Sequence, residues 1–373
     1  MPSAPKRRPG LGKETNMVKL GLFNLMGLYD RNTSPASVLK TTVDAVKMAE
    51  DFGFDVAWFA EHHFTNHSIC PSSMLMVAHC AAETKQIRLA PAVLALPFYD
   101  PLRLVQEAAF TDLLTHGRLV LGLGCGYQPH EFERFRVQPE ERHSIMLEAW
   151  TILEQGLTAG VVEFSGRHFS IPRTELSMRP FGLAMPDVFV ATSHPDPIAR
   201  MVRGNHTPFM SFGHRGLSAA RSFKDRIAAS WADAGGNPDT MPLAVQRYVY
   251  VTEDRDDARH AAQCVRDLAR AAVPLSTADP TRDGPFLRLM PLNDEPPLDD
   301  FLDNAVIGPA SYCAEKLAGE IEALKPTHLS CFMGFAGIGR RETLASIERF
   351  GCEVIPQLEG LVELRNTTLR DAA

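Results

Sequence analysis

From Val18 onward the chain alternates short apolar runs with longer segments whose apolar residues return every three or four positions. The short runs are Val18 to Phe23, a run beginning at Val56, Ile87 to Leu96, Leu119 to Leu123, Val188 to Ala191, Pro208 to Phe212, Leu243 to Val251 and His328 to Phe332. They read as strands buried on both faces. The longer segments read as helices with recognisable ends. Ser34-Pro35 offers a cap and a first-turn proline to a helix whose apolar stripe is Leu39, Val43, Val46 and Ala49, and Gly53 stops it. Pro71 opens a second helix through Glu83, and Asp100-Pro101 caps a third that ends at His116-Gly117. Further helices are expected at Glu141 to Gly156, Pro197 to Arg203, Leu217 to Ala234, Asp256 to Ala272, Tyr312 to Leu324 and Arg341 to Leu358. Eight strands alternating with helices predict parallel pairing through right-handed crossovers. A single closed α/β barrel, the (β/α)8 TIM barrel, is the simplest solution.

One stretch leaves the rhythm. Residues 274–303 are rich in proline and acidic side chains and lack periodicity, which predicts a mobile lid inserted between strand 7 and the following helix. Residues 1–16 carry basic residues and prolines but no apolar core, so they read as a flexible leader and not a secretory signal. Residues 17–360 then form one domain and 361–373 a tail. A chain of 373 residues with 45% hydrophobic content can bury one large core of this kind. Its net charge of -7 argues against nucleic-acid and acidic-membrane partners, which call for a clustered basic excess. No apolar run reaches the roughly 18 to 20 residues of a membrane span. The seven cysteines are scattered, without a CxxC pair, and read as reduced thiols of a cytoplasmic protein.

Candidate chemistry gathers where the Val56 run ends, in VAWFAEHHFT, with Glu61, His62 and His63 on the loop after the strand. In a parallel barrel that is the end at which catalytic groups sit. A metal set of Glu61, His62, His63 and His67 is disfavoured, because adjacent histidines on extended backbone diverge and no HxH or HxxxH spacing is present. Gly122, Gly124 and Gly126 permit close approach of backbone to a flat ligand. Phe23, Asn24, Gln128, Phe332 and Met333 fall at strand ends as walls of a pocket with few fixed charges, suited to a small organic substrate.

The run WFAEHHFT, then TKQIRLAPAVLALPFYDPLRLVQEAAFTDLLTHGRLVLGLGCGY followed by EFERF, resembles the bacterial luciferase-like flavin monooxygenase family. The C-terminal GFAGIGRRETLASIERFGCEVIP is similar to the end of many flavin-dependent members. The resemblance implies a flavin-dependent monooxygenase in which reduced FMN is a co-substrate, made by a separate NAD(P)H-dependent flavin reductase, and dioxygen is the oxidant. It places His62 and Glu61 beside the flavin ring as catalytic residues and His63 in the substrate pocket. Activating dioxygen on reduced flavin needs a placed hydrogen-bond donor and exclusion of water, and a histidine can supply or accept the proton. The resemblance puts Ala92, Val93, Gly124, Gly126 and Tyr127 against the cofactor, with a non-proline cis bond in some members at the Ala92-Val93 strand. Arg142, with His143 as rival, and Thr192 and Ser193 at a helix start would hold the phosphate. Cys125 departs from the family, which often has an arginine there that contacts this phosphate. That departure keeps open a deazaflavin-dependent hydride-transfer enzyme of the same superfamily, and the resemblance also leaves a non-catalytic flavin-binding relative as an alternative. Family members are often homodimers, through their second and third helices.

Overall fold

The computed structural model describes residues 18–277, 280–335 and 337–362. The expected leader and, apart from residues 361 and 362, the expected tail lie outside the described residues. Eight parallel strands make the barrel: β1 (Lys19–Asn24), β2 (Val56–Phe59), β3 (Arg88–Pro91), β4 (Leu121–Gly124), β5 (Val188–Ala191), β6 (Thr207–Ser211), β7 (Ala244–Val251) and β8 (His328–Phe332). Hydrogen bonding runs in the order β3-β2-β1-β8-β7-β6-β5-β4. The ring closes between β3 and β4 through a Leu89 to Leu119 bridge and through the short strand Leu94–Ala95, which pairs with Leu123 and Gly124. The apolar run expected as one strand from Ile87 to Leu96 is therefore broken in the middle, where the Ala92-Val93 peptide is cis. The glycines of β4 exist for this seam. A Cβ on Gly122 would stand 2.1 Å from the Pro91 carbonyl oxygen, and one on Gly124 would stand 2.4 Å from a Val93 methyl. Both let β4 approach the backbone and side chains of residues 91–93.

The helices are α1 (Pro35–Asp51), α2 (Ser73–Glu83), α3 (Pro101–Thr115), α4 (Pro129–Phe135), α5 (Arg142–Ala159), α6 (Pro195–Gly204), α7 (Leu217–Asp233), α8 (Arg255–Thr277), α9 (Leu298–Asn304), α10 (Ala310–Leu324) and α11 (Arg340–Arg349). Capping explains their ends. Ser34 accepts from the Ser37 backbone N–H, and Asp100 accepts from that of Arg103 at 2.8 Å. At the end of α3, His116 itself turns left-handed with φ 55°, followed by Gly117.

Two apolar layers hold the barrel. Inside it, Trp58 stacks on Phe209 at 4.9 Å and meets Phe189 edge-on at 5.0 Å, filling the bore. Outside, Leu22, Leu89, Leu121, Leu123, Leu329 and Cys331 pack under the helices. Strand alternation on β7 sends Val245, Val249 and Val251 into that outer layer and so aims Gln246 and Tyr248 at the bore. Arg247, also outward, is 1% exposed and grips Glu320 of α10 with two hydrogen bonds of 2.7 and 2.8 Å.

Three features differ from expectation. A hairpin of Val161–Ser165 and Ser170–Glu175 separates α5 from β5. Helix α4 replaces a loop. The insertion falls after α8, which runs through Pro274, and before α10, not between β7 and the helix that directly follows it. Its described part is built, not structureless: it carries a small hairpin (Arg282–Asp283 with Phe286–Leu287) and α9, and it leads into the strand Val306–Gly308, which pairs with the last residues of β7. A three-residue strand is too short to show a period.

Candidate active site

At the C-terminal end of the barrel the loops after β1, β2, β4 and β5 present the predicted residues in two groups. The first lies on the β2 loop. The His62 side chain is 13% exposed, and its Nδ1 has two neighbours: the Gln128 amide nitrogen at 2.9 Å and Glu131 Oε1 at 3.3 Å. Its ring meets Tyr127 edge-on at 5.6 Å and His67 at 5.2 Å. Among the described residues no hydrogen bond engages His62 Nε2. His67 is itself buried, and desolvation, with His62 and His130 nearby, pushes it well below the usual histidine range. Its Nδ1 shares a hydrogen bond of 2.9 Å with the Tyr29 hydroxyl.

Glu61 and His63 turn away from this group. Glu61 Oε2 accepts from the backbone N–H and hydroxyl of Ser73, at 3.1 and 2.7 Å, and Oε1 accepts from the Tyr99 hydroxyl at 2.5 Å. Both carboxylate oxygens thus anchor the start of α2 and the Tyr99 segment. His63 packs against Phe135 at 4.8 Å and Phe98 at 6.4 Å, with Glu61 at 3.7 Å from its Nε2. Adjacent side chains on extended backbone point in opposite directions, so one of the two histidines had to leave the mouth.

The second group lies across β4 and β5. Cys125 follows β4, and the Arg142 guanidinium, at the start of α5, lies against it. Burial raises the Cys125 thiol, and Arg142 opposes the rise. His143 stacks on His194 at 4.1 Å, and its buried Nδ1 has no partner. Desolvation first, then His194 and Arg142, bring His143 down to about 4. Thr192 Oγ1 accepts from the His194 backbone N–H at 3.0 Å, and His194, not Ser193, caps α6. Ser193, next to them in the chain, is exposed.

Between the groups lie half-buried Ala92 and Val93, and Tyr127, which is 46% exposed. Gly126 is left-handed with φ 73° and packs on Phe98 and Phe132. Phe23 and Phe332 meet at 5.3 Å, and Tyr248 meets Phe332 at the same distance. Met333 goes to the outer layer under the helices. Asn24 donates to the Trp58 carbonyl at 3.1 Å and lines a cavity of about 230 Å³ between the loops after β1 and β8, which His62 does not line. Residues that sequence reasoning did not single out for the site are Tyr29, Glu131, His194, Ser211, Gln246 and Tyr248. Gln246, which accepts from Ser211 at 2.5 Å, carried a signal: a polar residue inside an apolar strand.

The described part of the insertion is tied to the loops after β1 and β2. Asn66 donates its backbone N–H to Pro285 and accepts from Leu287 N–H at its side-chain oxygen, both at 2.9 Å. Arg31 pairs with Asp283 at 2.7 Å and lies 4.5 Å from the Phe286 ring centre. Among the described residues no three His, Cys, Asp or Glu side chains are grouped to hold a metal ion, and no helix is long and apolar enough to cross a membrane.

The family model of luciferase-like monooxygenases matches residues 18–328. A protein of unassigned function from Sinorhizobium fredii is 34% identical over 92% of this chain and 98% of its own length. The oxygenase component of the flavin-dependent trigonelline monooxygenase of Acinetobacter baylyi is 26% identical over 66% of this chain and 68% of its own. Among solved structures, the oxygenating constituent of the Pseudomonas putida 3,6-diketocamphane monooxygenase with FMN superimposes with a TM-score of 0.74 at 19% identity, covering 92% of this chain and 99% of that one. An F420-dependent secondary alcohol dehydrogenase gives a TM-score of 0.70 at 18% identity, covering 91% and 99%. The two structural likenesses speak for the fold. The chain belongs to the luciferase-like monooxygenase family and is an enzyme of that family.

Proposed function

We propose that this chain is the oxygenase component of a two-component monooxygenase, using reduced FMN supplied by a separate NAD(P)H-dependent reductase, and dioxygen, to oxygenate a small organic substrate. The observation that carries the choice of FMN is Arg142. The resemblance implies an arginine in many members where this chain has Cys125, and the Arg142 guanidinium, which donates to the Pro139 carbonyl at 3.1 Å, reaches Cys125 from α5. With His143, His194 and Thr192 it forms a donor-rich corner, and the partnerless buried Nδ1 of His143 fits an acceptor-rich phosphate. The residues present therefore fit the group. When bound, reduced flavin supplies the electrons and the site of dioxygen activation. The chain's own part is to hold the phosphate at Arg142, His143, Thr192 and Ser193, to seat the ring against Ala92, Val93, Gly126 and Tyr127, and to exchange a proton at His62 Nε2. Glu61, with both oxygens occupied, acts by fixing the loop that carries His62. Phe23, Gln128, Tyr248 and Phe332 wall the substrate side, and the insertion excludes water.

The trigonelline relative, named an oxygenase component, supports the separate reductase. Leu75 at 71%, Phe110 at 52% and Leu114 at 45% exposure leave an apolar face on α2 and α3, which supports a homodimer there. The unpaired thiols of the described residues support a cytoplasmic location. A spectral titration with oxidised and reduced FMN, followed by a product screen in air, tests the reading. Oxygenated product from reduced FMN is the expected result. Failure to bind reduced FMN, or turnover with a deazaflavin in the absence of air, would overturn it.

A further inference from the structure

The carboxylate nearest the working histidine in space is not the one next to it in sequence. Glu131, on α4, is 69 residues from His62. Its side chain is 3% exposed, and a carboxylate taken out of water needs donors around it. Oε1 accepts the His63 backbone N–H at 2.8 Å and faces His62 Nδ1 at 3.3 Å. Arg134, the cation of the same helix, is engaged elsewhere, by the His130 carbonyl at 3.0 Å and by Glu133 at 3.1 Å. Burial raises the Glu131 carboxyl, but hydrogen bonding and charge from His62 and the His63 N–H outweigh it, and the group ends below its usual range.

We propose that Glu131 is the positioning residue for His62: it keeps a proton on Nδ1 and thereby leaves Nε2 as the nitrogen that exchanges protons with the occupant of the mouth. This rests on the reading of His62 as the proton carrier. A buried anion 3.3 Å from an imidazole nitrogen stabilises N–H at that nitrogen, and such outer partners set the tautomer and orientation of working histidines. Gln128 completes the arrangement. Its amide lies 2.9 Å from the same Nδ1, and its buried Oε1 has no partner. A half-turn of the amide brings Oε1 to Nδ1–H and to the Tyr127 hydroxyl, making a second acceptor. The frame is independent of His62: Pro129 at the first position and Glu131 in the first turn favour α4, and His130 Nε2 ties it to the His63 carbonyl at 3.1 Å.

The test uses the full chain without flavin, labelled with 15N-histidine, the His62 ring signals being assigned by their loss in H62Q. At neutral pH a proton on Nδ1 is expected, moving to Nε2 in E131Q and returning in E131D. A bare Nδ1 in the unaltered chain, with Gln128 donating to it, overturns the proposal, as does an unchanged tautomer in E131Q. With reduced FMN, substrate and air, E131Q should lower kcat about 10- to 100-fold while flavin affinity stays within about twofold. An unchanged kcat also overturns it. If E131Q does not fold, the tautomer of the unaltered chain and of E131D decides. A protonated Nδ1 in a chain that never binds FMN would sink the functional reading and leave this one standing.

Discussion

The two sides of the barrel mouth are built from opposite chemistry. On the β2 side a histidine is ringed by an amide, a carboxylate and a second, neutral histidine, and the described insertion is bonded to Asn66 on the same loop. On the β4 and β5 side an arginine and two stacked histidines gather with Thr192, and the nearest carboxylate contact is Asp196, 3.8 Å from His194. The first arrangement can hold and move a proton, because acceptors sit against a titratable ring. The second can hold an anion, because donors outnumber acceptors. On the proposed reading, one fold thus separates the reacting end of a flavin from its charged end.

The sharpest way to break this division is His62→Ala. Product formation should fall about 10²- to 10⁴-fold, the usual worth of a placed acid or base, while FMN affinity changes little. Rate assays beside flavin titrations check it, and equal losses in both would erase the distinction. Arg142→Ala should do the reverse, weakening FMN binding about 10- to 100-fold, the scale of a lost charge-assisted hydrogen bond, without weakening riboflavin, which lacks the phosphate. Parallel titrations with the two flavins decide it.

A histidine at the opposite end of the barrel provides a control for burial alone. Desolvation, with Lys19 and Arg88 next, holds His328 down to about 4. Below its ordinary value near 6.5 the unfolded chain takes up a proton that the folded chain refuses, so stability falls as pH drops from there towards 4 and then levels off. The loss from this ring is about 2 kcal/mol at pH 5, and His328→Asn should flatten urea midpoints measured between pH 7 and 5. His143, also held near 4, should contribute in the same direction but lose that dependence when FMN is bound. The smallest effect concerns the cover on the β2 side. Asn66→Ala removes the acceptor for Leu287, and hydrogen peroxide released per flavin oxidised should rise about 2- to 10-fold. No rise would show that the insertion does not keep water out.

Much of the framework was legible because parallel strands buried on both faces write themselves as continuous apolar runs. Val56 to Phe59, Val188 to Ala191 and His328 to Phe332 begin or lie where the pattern predicted. Ile87 to Leu96 did not hold as one strand, since a run of apolar residues carries no mark of where the backbone turns to close a barrel. The resemblance placed Glu61 beside the flavin ring with His62, and the fold engages both of its oxygens with Ser73 and Tyr99. Glu131 was invisible as its partner, because α4 is only seven residues long and its acid is remote in sequence.

Periodicity and composition by themselves determined an alternating parallel barrel, the strand end that carries the histidines, and a net charge of -7. Those properties depend on local hydrophobic pattern and net charge, which the order of residues states directly. Only the tertiary structure decided which of two neighbouring histidines faces the mouth, which carboxylate stands behind it, and how Arg142 comes to rest beside Cys125. Each of those is a contact between segments far apart along the chain, set by packing angles that no one-dimensional pattern contains.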